Sequence, residues 1–160
     1  MDGKKILFML IISTLFIGCA FAANSVNDFK VNENYKHVAG NDFYSINLND
    51  NKDAGCLIFK NVDDDAYDDN SDPYDGLIHD DGREYIEVDD DMTINKNPDN
   101  TANFTDKDHA TRGVVKVAES NGQQYIVVIF AKDGSNTQNN DLASQLTQFN
   151  NDNQVKIIAF

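Results

Sequence analysis

Apolar and polar residues alternate along several short stretches of the chain, and a period of two is typical of half-buried β-strands. Residues 43–48 place their apolar side chains on one face, and residues 56–62 follow after an Asn-, Asp- and Gly-containing segment, 49–55. The intervening residues favour a turn, so the two stretches predict a hairpin. A shorter alternation at 29–31 predicts a first strand.

A second hairpin is predicted at residues 113–119 and 123–132, because Asn121-Gly122 lies between them. This dipeptide favours the primed two-residue turn, whose twist matches that of the flanking strands. Residues 125–130 are apolar at every position. A strand without a polar face belongs in the centre of a sheet, covered on both sides.

The C-terminal part predicts a helix followed by a strand. Residues 141–150 carry one apolar stripe at helical spacing, formed by Leu142, Leu146 and Phe149. Asn139 or Asn140 is predicted to cap the start of the helix, and Asn151 or Asn153 to close its end. Residues 155–159 predict the last strand.

Between the two hairpins, residues 77–79 and 84–88 predict a further pair of strands around Asp81-Gly82, whereas 95–108 is polar with little periodicity and is interpreted as a long loop. Together the elements predict an α+β fold. It consists of a mainly antiparallel sheet of hairpins with at least one C-terminal helix packed on it. We expect one domain spanning residues 29–160.

The first 22 residues have the order of a secretory signal peptide. Lys4 and Lys5 precede a short apolar run, and Ala20-Phe21-Ala22 forms a small-residue cleavage site. Residues 23–28 would then be a mobile N-terminal segment. Two alternatives remain open: lipidation of Cys19, and retention of the uncharged run 6–23 as a membrane anchor. All three place the domain outside the cytoplasm, at the cell surface or in the extracellular medium.

Charge and cysteine content narrow the function classes further. The chain has a net charge of −14 and a pI of about 4.3, which argues against nucleic acids and against a polybasic contact with lipid. After removal of the signal, Cys56 is the only cysteine. It cannot form an internal disulfide, so the fold depends on its core, to which Cys56 is expected to contribute as a small hydrophobe.

Calcium is the first candidate cofactor, because the loop at 63–76 contains seven Asp residues and calcium prefers carboxylate oxygens in flexible loops. The candidate ligands alternate within it: Asp68, Asn70, Asp72 and Asp75. An EF-hand counted from Asp68 fails, since Pro73 and His79 occupy the places of its Gly and Glu. The competing interpretation is a solvated acidic loop without a cofactor.

Catalytic motifs are missing from the sequence. His37, His79 and His109 lie far apart, without zinc-ligand spacing. Neither a G-x-S-x-G motif nor a Gly-rich phosphate loop occurs. A hydrolase using paired Asp residues stays open, because its pKa requirements are invisible in a sequence.

Two features suggest carbohydrate. Asn103-Phe104-Thr105 is a glycosylation sequon. Tyr67 and Tyr74, in the acidic loop, are candidates for stacking on sugars.

The order of segments resembles the small, uncharacterised secreted proteins of methanogenic archaea. The segments that carry the resemblance are Phe29-Lys30-Val31, the apolar strand at 123–130, Gln148-Phe149-Asn150-Asn151-Asp152-Asn153 and the final Val155-Lys156-Ile157-Ile158. The Pro and Gly that often follow the opening Phe-x-Val are replaced here by Asn32 and Asn34. The resemblance implies an exported domain and supplies no catalytic residues. The outline is also similar to the PsbP/Mog1-like sandwich, by analogy only.

Export without a catalytic motif predicts a non-catalytic cell-surface or secreted module that binds a protein, a glycan or an envelope polymer. Its acidic surface favours basic or cation-bridged partners. A small extracellular hydrolase with paired Asp and a calcium-stabilised structural domain are the alternatives.

Overall fold

A computed structural model describes residues 25–61 and 92–158 of the 160-residue chain. Within these ranges it contains eight strands, a 3₁₀ turn and one α-helix. In chain order these are the 3₁₀ turn Val26–Asp28, β1 Lys36–Gly40, β2 Tyr44–Leu48, β3 Ala54–Asn61, β4 Met92–Lys96, β5 Thr101–Asp106, β6 Thr111–Ser120, β7 Gln123–Lys132, α1 Asn139–Asn153 and β8 Lys156–Ile158.

The strands form one antiparallel sheet in the order β1-β2-β3-β7-β6-β5-β4. β8 pairs with the C-terminal end of β6, beyond the part of β6 that β5 covers. β7 is the middle strand of this order, which confirms the position predicted from its uninterrupted apolar sequence. The antiparallel sheet and the C-terminal helix confirm the α+β class.

Both hairpins predicted around the central strands are present. The β6–β7 hairpin turns at Asn121 and Gly122, whose φ angles of 53° and 75° are those of a primed turn. β2 and β3 pair from Tyr44 and Phe59 to Leu48 and Gly55, on either side of the turn at 49–53.

Two predictions about strands were wrong. The loop predicted at 95–108 is largely the β4–β5 hairpin, turned through Asn100 with a φ of 61°. The sequence pattern did not indicate these strands, because their outward residues are polar and the apolar face is short. The strand predicted at 29–31 is irregular instead, because Phe29 is inserted into the core beneath α1. β1 had no predicted counterpart, and the strands predicted at 77–79 and 84–88 lie outside the described residues.

The main core lies between α1, the N-terminal segment and one face of the sheet. The ring of Phe29 contacts Tyr125 edge-on at 4.8 Å and stacks on Phe149 at 5.4 Å. The three helix residues predicted to face the sheet, Leu142, Leu146 and Phe149, are all buried. A second apolar cluster occupies the other face of the sheet around Leu57, Phe104 and Phe130.

Asn153 joins the end of α1 to the N-terminal segment. Its side-chain carbonyl accepts the Lys30 backbone N–H at 2.7 Å, and its amide donates to the Lys30 carbonyl at 2.8 Å. The helix extends to Asn153, beyond the predicted 141–150, and Gln154, in the left-handed conformation, is the C-cap in place of Asn151 or Asn153. It also starts differently: Gln138 is the N-cap in place of Asn139 or Asn140, and its backbone N–H donates to the Asp141 carboxylate. No helix in the described ranges is long and apolar enough to cross a membrane.

Candidate functional site

A cleft of about 300 Å³ lies between β5, β6 and the first turn of α1. Strand register brings its walls together, because Asn103 is opposite Val114 and Thr105 is opposite Arg112, and paired residues share one face of the sheet. We call this space the α1 cleft. Its polar lining comprises Asn103, Thr105, Arg112, Asn139 and Asn140, and its apolar lining includes Val114, Leu142 and Ala143.

The exposed strand β4 extends the polar side of this cleft into a flat surface. Thr93 is paired with Thr105, and Asn95 with Asn103, so four uncharged polar side chains share one face of the sheet edge. All four are exposed. We call Thr93, Asn95, Asn103 and Thr105 the polar ledge. In a chain with a net charge of −14, this is a neutral surface made only of amides and hydroxyls.

Arg112 carries the only formal charge among the described residues that line the α1 cleft, and the protein itself uses its donors. Nε donates to Oδ1 of Asn139 at 2.8 Å, and one terminal nitrogen donates to the Thr137 carbonyl at 2.6 Å. The other terminal nitrogen reaches the Lys132 carbonyl at 3.1 Å and the Asp133 carboxylate at 3.2 Å. The guanidinium therefore fastens the β7–α1 connection to β6.

Other polar groups in the cleft retain hydrogen-bonding capacity. The Asn103 amide donates to Oδ1 of Asn97 at a long 3.3 Å, which leaves its carbonyl oxygen as an acceptor. Within the described part of the chain, the Thr105 hydroxyl and the Asn140 side-chain amide make no hydrogen bond. These groups offer donors and acceptors above an apolar floor, a combination common in small-molecule sites.

A second unusual group lies deeper on the same face of β6. The side chain of Lys116 is fully buried beneath α1, and among the described residues its Nζ has no hydrogen-bond partner. The nitrogen lies 5.1 Å from the centre of the Phe149 ring, whose face attracts a cation. Burial lowers the pKa of Lys116 to about 7, although the nearby Cys56 thiol acts in the opposite direction.

Two further polar groups of the main core, Cys56 and Tyr35, are also removed from water. Burial raises the pKa of the Cys56 thiol to about 12, with Lys116 partly offsetting the effect. Burial also raises the pKa of Tyr35 to about 12, and the side chain of Gln145 lowers it without forming a well-aligned hydrogen bond. A protonated thiol with a raised pKa is a poor nucleophile, so the chemistry of Cys56 agrees with a packing role.

His109 and Asp106 form a separate pair at the β5–β6 turn. The buried Asp106 carboxylate accepts the His109 backbone N–H at 3.0 Å and lies 2.8 Å from Nδ1 of the imidazole. These bonds close the turn and give His109 a structural role. His37 is an exposed residue of β1, 3.3 Å from the Ser45 hydroxyl.

The structure brings together only part of what the sequence analysis singled out. Asn103 lines the α1 cleft, and Cys56 is a free, buried cysteine, as expected for a small hydrophobe. The remaining candidates lie outside the described residues: Cys19, Tyr67, Asp68, Asn70, Asp72, Tyr74, Asp75 and His79. In residues 25–61 and 92–158, no group of three acidic, His or Cys side chains converges on a metal position.

Sequence reasoning missed Arg112, Lys116 and the helix-start amides. For Lys116 a signal existed: it occupies the same alternating face of β6 as the buried Val114 and Ala118. The cleft left no signal, because its residues come from three separated segments.

Comparison with known proteins adds no family assignment: no protein-family model matches the chain, and neither curated proteins nor solved structures give a significant match.

Proposed function

We propose that the protein is an exported, non-catalytic module that binds a neutral glycan, or a similar polyhydroxyl polymer of the envelope, at the α1 cleft and the polar ledge. The observation that carries the proposal is the uncharged amide and hydroxyl surface beside a cleft with an apolar floor, on an otherwise acidic chain. Sugars present hydroxyl groups and apolar C–H faces. Side-chain amides and hydroxyls bind the former, and an apolar floor accommodates the latter.

The electrostatics favour a neutral ligand over an anionic one. Arg112, the cation of the cleft, already donates to four oxygens of the protein. The net charge of −14 disfavours the approach of anions over longer distances. A sugar acid would therefore find neither a free guanidinium nor a favourable field.

Export and a surface or extracellular location are part of this proposal, on the basis of the signal-like residues 1–22 and of the resemblance to small secreted proteins of methanogenic archaea. The PsbP/Mog1-like outline belongs with them as an analogy of fold. A paired-Asp hydrolase and a calcium-stabilised domain stay sequence-based alternatives that no contact within residues 25–61 and 92–158 favours.

The test measures ligand binding by the chain from residue 23 onward. Binding is detected by saturation-transfer NMR with neutral trisaccharides of glucose, mannose and N-acetylglucosamine. A trimer of galacturonic acid is the anionic comparison. We expect millimolar binding of at least one neutral sugar, weakened at least fivefold by Asn140→Ala. Asn151→Ala, which removes an exposed amide from the last turn of α1, is the matched control and should bind normally. Binding of the acid alone, or of no sugar at all, would contradict the proposal.

A further inference from the structure

The sequon at Asn103 acquires a specific geometry in the folded chain. β5 is extended, so Asn103 and Thr105 project from one face, while the intervening Phe104 is buried in the cluster on the other face. Asn103 is exposed, and among the described residues its amide nitrogen makes a single hydrogen bond, the 3.3 Å bond to Asn97. A sugar on this nitrogen would displace one weak surface hydrogen bond and no core side chain.

The same side chain lines the α1 cleft, opposite Val114 and facing the first turn of α1. A glycan attached at Nδ2 of Asn103 would begin at the mouth of the cleft. The groups that could receive its first sugar are the Thr105 hydroxyl, the Asn140 amide and the apolar floor formed by Val114 and Leu142. These are the groups that the proposed function assigns to a free glycan.

We propose that Asn103 is an N-glycosylation site whose attached glycan occupies the α1 cleft, so that the glycosylated chain and the chain that binds a free glycan are alternative states. This inference rests on the proposed function, because the same surface serves both ligands. Glycosylation thereby regulates the binding site by filling it.

The chemistry requires a lipid-linked oligosaccharide pyrophosphate as the sugar donor, delivered by a membrane-bound transferase during export. Nδ2 of Asn103 forms a bond to the anomeric carbon of the donor, and the bond from that carbon to the pyrophosphate oxygen breaks. The lipid pyrophosphate leaves with the electron pair of the broken bond, and one amide proton passes to a base of the transferase. No oxidation or reduction occurs.

The experiment compares the full chain secreted from an N-glycosylating eukaryotic host with the unmodified wild-type chain made in bacteria. Intact mass should show one glycan on the secreted wild type and on Thr105→Ser, which keeps the sequon. The glycan should be absent from Asn103→Gln and from Thr105→Val, a variant of nearly unchanged shape. An unmodified secreted wild type would overturn the inference.

Occupation of the cleft is measured without any free ligand. Amide hydrogen exchange at residues 139–143 should be at least fivefold slower in the glycosylated chain than in the unmodified one, with exchange in the β2–β3 hairpin unchanged as an internal control. A glycan without this protection would point away from the cleft and overturn the inference.

Sugar binding then separates the two proposals. The unmodified wild type should bind the neutral trisaccharide, and the glycosylated chain should bind it at least tenfold more weakly. Equal binding by both chains contradicts regulation at Asn103 and leaves the proposed function intact. Slow exchange in the glycosylated chain, combined with no binding by the unmodified one, supports the attached glycan as occupant and contradicts the proposed function.

Discussion

Two cations lie four residues apart on the same face of β6, and the protein treats them in opposite ways. Arg112 is half-buried, and its guanidinium donates to four oxygens at the end of β7, in the β7–α1 connection and in α1. Lys116 is fully buried, with an aromatic ring 5.1 Å away but no acceptor among the described residues.

The difference follows from the chemistry of the two head groups. A guanidinium is a planar fork of five donors, so one side chain can satisfy several carbonyls around it. An ammonium is a compact, strongly hydrated charge, so it loses more hydration free energy when it is buried without acceptors. It can avoid this cost by releasing its proton. Arg112 therefore organises the wall of the α1 cleft, whereas Lys116 makes the stability of the same helix–sheet interface sensitive to pH.

The largest expected effect comes from Arg112→Met. The substitution keeps an unbranched apolar stem but removes all the guanidinium donors, including those to the partly buried carbonyls of Lys132 and Thr137, and hydrogen bonds involving a charged group contribute about 1.5–3 kcal/mol each. Because several of these bonds are solvent-accessible, we expect a loss of about 3 kcal/mol in the free energy of unfolding, measured with urea. Arg112→Lys should recover less than half of it, because an ammonium cannot reproduce the fork. Full recovery by Lys would show that charge, rather than geometry, is what β6 requires.

Lys116→Met should instead increase the free energy of unfolding. Replacing buried ion pairs with apolar side chains of similar volume often stabilises a protein, by about 1–4 kcal/mol, and a buried charge without a counter-charge has no ion-pair attraction to offset its desolvation. We expect a gain of about 2 kcal/mol at pH 6, where Lys116 is protonated in both the folded and the unfolded chain. Lys107→Met, at an exposed turn position, is the control and should leave the stability within about 0.5 kcal/mol. A loss of stability at pH 6 would mean that the ammonium is solvated or paired after all.

The pH dependence of wild-type stability is the next effect in size. The folded pKa of Lys116 is about 7, against 10.5 for an ordinary lysine, so between these values the unfolded chain binds a proton that the folded chain does not. Stability therefore rises with pH in this window, by about 1.36 kcal/mol per pH unit at most. Because the folded lysine is still half protonated at pH 7, the slope is below its maximum there, and we expect a rise of about 1.5 kcal/mol between pH 7 and 8.5, measured by urea unfolding.

Cys56 limits that rise at higher pH. Its folded pKa of about 12 lies above the ordinary value of 9.0, so above pH 9 the unfolded thiol ionises first and opposes the contribution of Lys116. Stability therefore levels off above pH 9 and falls only above the ordinary lysine pKa of 10.5. In Lys116→Met the rise between pH 7 and 8.5 should vanish, and in Cys56→Ala it should extend toward pH 10. A wild-type curve that is flat from pH 7 to 8.5 would contradict the burial of an unpaired lysine.

Features set by a local sequence pattern were predictable, and features set by contacts between distant segments were not. Strong local patterns gave correct predictions. The strand that is apolar on both faces, β7, is central, Asn121-Gly122 forms a hairpin turn, and the apolar stripe of α1 faces the sheet. The α1 cleft was not predictable, because it depends on how β5, β6 and the helix start meet in space. The β4–β5 hairpin was missed for a related reason, since an exposed edge with polar outward residues looks like a loop.

The smallest expected effects come from substitutions at the start of α1. They test whether Arg112 holds the wall of the α1 cleft through its bond to Asn139 alone or through the whole guanidinium group. Asn139 accepts the Arg112 Nε–H at 2.8 Å, while its neighbour Asn140 makes no hydrogen bond through its side chain in the described chain. Asn139→Ala should cost about 0.5 kcal/mol by urea unfolding, because the bond is exposed. Asn140→Ala should cost nothing and yet weaken sugar binding. In a double-mutant cycle with Arg112→Met, Asn139→Ala should show coupling of about 0.5 kcal/mol and Asn140→Ala none. Equal coupling at both positions would mean that Arg112 supports the helix start as a unit, and that stability and ligand recognition cannot be separated at this end of α1.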